Sequence, residues 1–123
     1  MFVEVNAKNF ADEVLAPQGA VLVDFYGEHC MPCKLLRPIL MQISREYKGL
    51  KLCLFNTDRE PGETDAEFEE KFTLLASCQV MNLPTMLLFL NGELLTTLVG
   101  LHTKEELLEI FRKHNINLEP VIV

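Results

Sequence analysis

The run AVLVDFY, Ala20 to Tyr26, is apolar at six of its seven positions. A run so nearly unbroken is apolar on both faces of a strand, so it belongs inside a sheet and not on a water-facing edge. LKLCLFN at 50–56 has the same character. Between the two, from about Met31 to Tyr47, Leu35, Ile39, Ile43 and Tyr47 recur at every fourth position with Leu36 and Leu40 beside them. That is the pattern of a helix facing a sheet. Pro38 is expected to kink it. Strand, helix, strand in this order is a βαβ unit, which requires a parallel sheet and a right-handed crossover.

The flanking segments extend this unit. MFVEV reads as a short edge strand, and a helix is expected around Lys8 to Ala16 with Phe10 and Val14 on one face. TMLLFL and ELLTTLV are joined by Asn91-Gly92, the strongest short-range signal for an antiparallel hairpin. Thr64 with Glu67, and Thr103 with Glu106, have the form of capping boxes. They open a helix over Asp65 to Ser77, with Phe68, Phe72 and Leu75 on one face, and a last helix with Leu107, Ile110 and Phe111 inward. The tail EPVIV either frays or adds an edge contact. The expected fold is α/β, one domain over residues 1–123, with a mixed sheet carrying helices on both faces.

Charge narrows the function. A formal net charge of −7 repels nucleic acid and anionic membranes. The stretch DREPGETDAEFEEKF holds seven acids against two bases and so contributes −5 of that total. It reads as a solvated helix face, with a docking surface as the alternative. The first residues carry an acid early and no sustained apolar run, so neither a signal peptide nor a membrane span is expected, and the expected location is cytoplasmic. In that compartment paired cysteines serve redox or metal chemistry more often than structure.

HCMPC, His29 to Cys33, stands where the first apolar strand gives way to a helix. Unpaired backbone N–H groups and the helix dipole favour negative charge there, so Cys30 suits the role of attacking thiolate. Cys33, one turn later on the same face, suits the role of resolving thiol. Pro32 fits the first helical turn and restrains Met31. Half of a zinc knuckle is the competing reading, but Cys53 and Cys78 are isolated and supply no second pair of ligands. Cys53 lies mid-strand as a small buried hydrophobe; Cys78 ends the acidic helix, either inert or open to oxidation.

Asp24 is anomalous, since a buried carboxylate is costly and its pKa is driven up by desolvation. Beneath the two sulfurs it would accept the proton from Cys33; the alternative is a carboxylate paired with some buried donor. In Leu83-Pro84-Thr85 the proline precedes a strand, where a cis bond would expose backbone for an extended substrate to pair with, although most X-Pro bonds are trans.

From about Asn9 to Lys113 the chain resembles a thioredoxin. VDFYGEHCMPCKLLRPIL is similar to that family's active-site block, LPT to its cis-proline loop, LFLNGE to its hairpin and VGL to its glycine loop. The resemblance implies the thioredoxin fold and dithiol exchange with protein disulfides. Cys30 and Cys33 would form the redox disulfide, with Asp24 as proton-transfer residue and Pro84 as the cis-proline facing it. Tyr26, His29, Met31, Pro32, Leu83, Val99 and Gly100 would line the substrate surface. No bound cofactor or metal is needed, because the dithiol carries two electrons. A thioredoxin reductase, NADPH-linked or ferredoxin-linked, would recharge a monomer. Two rivals are a docking module that keeps the fold without turnover and a metal-bridged dimer sharing one CxxC from each copy.

His29 and Met31 replace the Trp and Gly of the family's usual Trp-Cys-Gly-Pro-Cys, and Tyr26 replaces a second common Trp. Leu54 stands where a Lys often accompanies the buried Asp, which leaves Asp24 without that partner. The stretch from Asp58 to Pro84 is longer than usual. A protonated His29 would favour the Cys30 thiolate; an exposed, inert His is the alternative. Met31 suits an irregular peptide surface or simply fills space.

Overall fold

A computed structural model describes residues 2–121; Met1, Ile122 and Val123, parts of the expected first strand and tail, lie outside the described residues. The elements in chain order are β1 (Phe2–Val5), a single π turn (Ala11–Leu15), β2 (Ala20–Tyr26), α1 (Met31–Glu46), β3 (Tyr47–Lys48), β4 (Leu50–Asn56), α2 (Asp65–Ser77), β5 (Thr85–Leu90), β6 (Glu93–Val99), α3 (Lys104–Lys113) and β7 (Glu119–Pro120). The main sheet has the order β1-β4-β2-β5-β6. Its β1, β4 and β2 run parallel, and β5 and β6 join antiparallel. The expected mixed sheet is therefore present, with β2 at its centre.

Strand alternation sorts the core into two layers. Ala20 and Leu22 of β2 point into a cluster with Leu36, Leu40 and Ile43 of α1 and Leu107 and Phe111 of α3. Val21, Val23 and Phe25 point the other way, against Phe10, Val14, Phe55 and Phe89, with Leu74 and Leu75 of α2 packed alongside. Phe25 and Phe55 rings lie 5.0 Å apart, and Phe10 meets Phe25, Phe55 and Phe89 at 6.3–6.5 Å.

Three expectations change. Phe10 and Val14 are buried as expected, but the segment closes one π turn, with the Ala16 N–H donating to Ala11 O at 2.9 Å, and does not grow into a helix. Pro17 follows at once and prevents continuation. Leu35 is 52% exposed, while the inward stripe of α1 is Cys33, Leu36, Leu40 and Ile43. A spacing of four drifts by about 40° per step on a 3.6-residue helix, which carries Leu35 off the stripe. Phe72 is 66% exposed, and Lys71 is the buried residue of α2. The Lys71 ammonium donates to Asp58 O and pairs with Glu63 at 2.9 Å. The tail is paired: β7 lies against β3, and the Val121 N–H donates to Glu46 O at 2.8 Å.

At the hairpin Asn91 and Gly92 have φ of 52° and 80°, as a two-residue turn with both central residues left-handed requires. The Gly19 N–H donates to Asn91 Oδ1 at 2.7 Å, and a Cβ on Gly92 would stand 2.4 Å from Leu15 O. Gly92→Ala therefore meets both a strained φ and a backbone clash, and should destabilise the fold by about 2 kcal/mol or more. Urea denaturation should show a lowered midpoint with an unchanged slope.

Candidate active site

β2 delivers the chain to the site and α1 begins it. Cys30 is the N-cap of α1 in extended conformation, and its sulfur accepts the Cys33 N–H at 3.2 Å. The first turn of α1 contains no acid, so nothing on the helix offsets the positive end of its dipole. Cys30 and Cys33 are joined as a disulfide with Cα atoms 5.3 Å apart. Cys33 is 2% exposed, whereas Cys30 is only half-buried, so Cys30 is the more accessible sulfur of the two.

Asp24 has no exposure to solvent, and neither carboxylate oxygen has a hydrogen-bond partner among the described residues. Its side chain shares the face of Ala20 and Leu22, the face that α1 covers. Burial pushes its carboxyl from 3.8 to about 7, and the positive charge of Arg37 opposes that rise. Leu54 is its register partner on β4, as the substituted Lys implies, and Met86 its partner on β5.

The loops around this core are tied together. The Leu83–Pro84 bond is cis, and Pro84 O accepts the Gly100 N–H at 2.8 Å. Gly27 is buried, and a Cβ there would stand 3.1 Å from Leu83 Cδ1 and 3.5 Å from an Asp58 oxygen. The Asp58 carboxylate accepts the Glu28 N–H at 2.7 Å, so the acidic segment braces the loop leading to His29 and Cys30. Met31 and Val99 are 63% and 56% exposed, and a cleft of about 340 Å³ lined by Tyr26, Gly27, Glu28, Lys34 and Arg37 reaches Cys33. Asp58 and Arg37 were not singled out from the sequence; the spacing of Arg37, four residues after Cys33 on α1, would have placed it on the same face.

The other two thiols are apart from this chemistry. Cys53 is buried among the aromatic rings on the opposite face, where burial pushes its thiol to about 11. Burial also pushes the Cys78 thiol up. Among the described residues no three His, Cys, Asp or Glu side chains gather to hold a metal ion, and no helix is long and apolar enough to cross a membrane.

Comparison with known proteins agrees with this geometry. The family model described as Thioredoxin matches residues 1–113. The thioredoxin of Rickettsia bellii is 39% identical over 106 residues, covering 85% of this chain and 90% of that one. The chain belongs to the thioredoxin family. The thioredoxin of Buchnera aphidicola is 36% identical over 116 residues, covering 94% and 96%, and that of Pseudomonas aeruginosa 36% over 106 residues, covering 85% and 88%. In fold the chain is similar to the crystal structure of Chlamydomonas reinhardtii thioredoxin f2, with a TM-score of 0.78 at 21% identity over 95% of this chain and 99% of the other. The chain is a protein thiol-disulfide oxidoreductase of that family, whose substrates are protein disulfides and whose dithiol a reductase restores.

Proposed function

We propose that reduction begins with attack by the Cys30 thiolate on a substrate disulfide and ends with Cys33 resolving the product. The observation that carries this is the asymmetry of the pair: Cys30 caps a helix start free of acids, while Cys33 is enclosed. In the first step Cys30 Sγ bonds to one substrate sulfur, and the other leaves with the bonding electron pair and takes a proton. Asp24 then accepts the proton of Cys33, whose thiolate bonds to Cys30 Sγ. The mixed disulfide breaks, and the second substrate sulfur leaves and is protonated. The dithiol has given two electrons.

Leu83 and Pro84 flank the site as backbone and surface for an extended substrate segment, with Tyr26, His29, Met31, Pro32, Val99 and Gly100 completing the rim. The chain acts as one domain and as a monomer, a state favoured by the mutual repulsion of copies carrying a net −7. Two unbonded thiols, Cys53 and Cys78, suit the reducing cytoplasm. An NADPH- or ferredoxin-linked thioredoxin reductase recharges it.

The test is trapping. Cys33→Ser should stop turnover and leave substrate proteins held on Cys30, released by a small thiol and absent when Cys30 is also replaced. Adducts that persist without Cys30, or a Cys33→Ser protein with undiminished turnover, would overturn the order of attack.

A further inference from the structure

The row of the sheet containing Asp24 runs Glu4, Leu54, Asp24, Met86 and Leu98 across the five strands. Neither flanking residue bears a charge, and the positive charge that acts on Asp24 comes from the helix above. Arg37 carries it. It lies on α1 one turn beyond Cys33, with its guanidinium carbon 4.6 Å from the Tyr26 ring centroid and 5.8 Å from that of Phe2. Tyr26 lies two positions after Asp24 on the same face of β2, so the ring that holds the cation is a neighbour of the Asp24 side chain. Arg37 Nε is buried and without a hydrogen-bond partner, and the two Asp24 oxygens share that condition. The unsatisfied polar atoms beneath α1 are thus one positive and one negative group.

We propose that Arg37 is a positioning residue for the exchange reaction: stacked on Tyr26 and Phe2, its guanidinium keeps the Asp24 carboxylate ready to take the Cys33 proton as the mixed disulfide is resolved. This rests on Asp24 being the proton acceptor. The charge of Arg37 acts on Asp24 and Tyr26 from β2 and on Glu4 from β1, Glu60 from the segment after β4 acts on Glu4 and Tyr26, and Glu28, Cys33 and Lys34 share the cleft of Arg37. Glu4, on the edge strand β1, draws on the same cation. An arginine meets this arrangement because a planar guanidinium stacks and cannot be deprotonated; a lysine would carry the charge without the stacked placement.

The test uses the full chain as wild type, Arg37→Met and Arg37→Lys, each also with Asp24→Asn. Single-turnover reduction of a model protein disulfide is followed from pH 5.5 to 9, beside carboxyl-carbon NMR titration of Asp24 in the reduced protein. Arg37→Met should move the Asp24 midpoint and the rising limb of the rate profile up by about one pH unit and keep the plateau at high pH. Arg37→Lys should fall between, and neither change should move the profile of an Asp24→Asn protein. A uniform loss of rate at every pH with an unmoved Asp24 midpoint would overturn the proposal and leave the role of Asp24 standing. An Asp24→Asn protein with the wild-type profile would overturn both.

Discussion

Replacing Cys30 by serine is expected to slow protein-disulfide reduction by at least about 1,000-fold, because the proposed nucleophile is removed while the scaffold stays. Serine is a preferred N-cap residue, and its hydroxyl can accept the Cys33 N–H that the sulfur accepts now. The start of α1 therefore survives. A hydroxyl neither ionises near neutral pH nor forms a mixed disulfide, so the first step has no route. The variant also loses the crosslink, and closing a loop this short contributes about 2 kcal/mol in the chain-entropy account. The correct stability reference is the reduced wild-type protein, which Cys30→Ser should match in urea within about 0.5 kcal/mol. Cys78→Ser supplies the counterpart: its thiol is pushed up by burial and lies at the end of α2, so the rate should stay at the wild-type level. A Cys30→Ser protein keeping a tenth of the wild-type rate would remove Cys30 from the role of nucleophile.

The features legible in the sequence are those set by chemistry within a few residues. The two capping boxes form as written because Thr64 and Thr103 each meet a Glu three positions on. The hairpin forms because Asn and Gly tolerate the left-handed turn, and β2 is central because its run allows no water-facing side. Legibility fails where a distant residue decides. Phe72 loses its place in the core to Lys71, whose charge is satisfied by Asp58 and Glu63 from the preceding loop. The short strands β3 and β7 pair with each other across more than half of the chain's length.

The site divides in the same way. Cys30, Cys33 and Pro32 are read from one helix start, and Asp24 from its cost inside an apolar run. Leu54 in place of a lysine marks the missing cation on β4, but nothing in β2 or β4 says that α1 supplies another. Arg37 emerges only when the helix is laid over the sheet and its guanidinium comes to rest on Tyr26. Asp58 likewise takes its part through the Glu28 N–H, thirty residues earlier in the chain.

Asp24→Asn should stabilise the oxidised protein at pH 8 by about 2–4 kcal/mol and leave it nearly unchanged at pH 4. The sign follows from proton binding. In the unfolded chain the carboxyl ionises near 3.8, whereas in the fold burial holds it protonated up to about 7. Below pH 3.8 both states carry the proton and the group costs nothing through ionisation. Between the two values the folded state binds more protons than the unfolded, so wild-type stability falls as pH rises, by up to about 1.4 kcal/mol per pH unit. Above the upper value the cost is complete and constant. Asparagine never ionises and escapes it, though its amide occupies the same unpartnered space and carries its own desolvation cost at every pH. The difference between the gains at pH 8 and pH 4 isolates the charge. The same substitution removes the proposed acceptor for the Cys33 proton and should slow reduction roughly 10- to 100-fold near neutral pH. Urea midpoints at the two pH values, read beside single-turnover rates, should therefore show one substitution strengthening the fold and weakening the chemistry. A gain equal at both pH values would mean that the carboxylate is not held protonated by the fold.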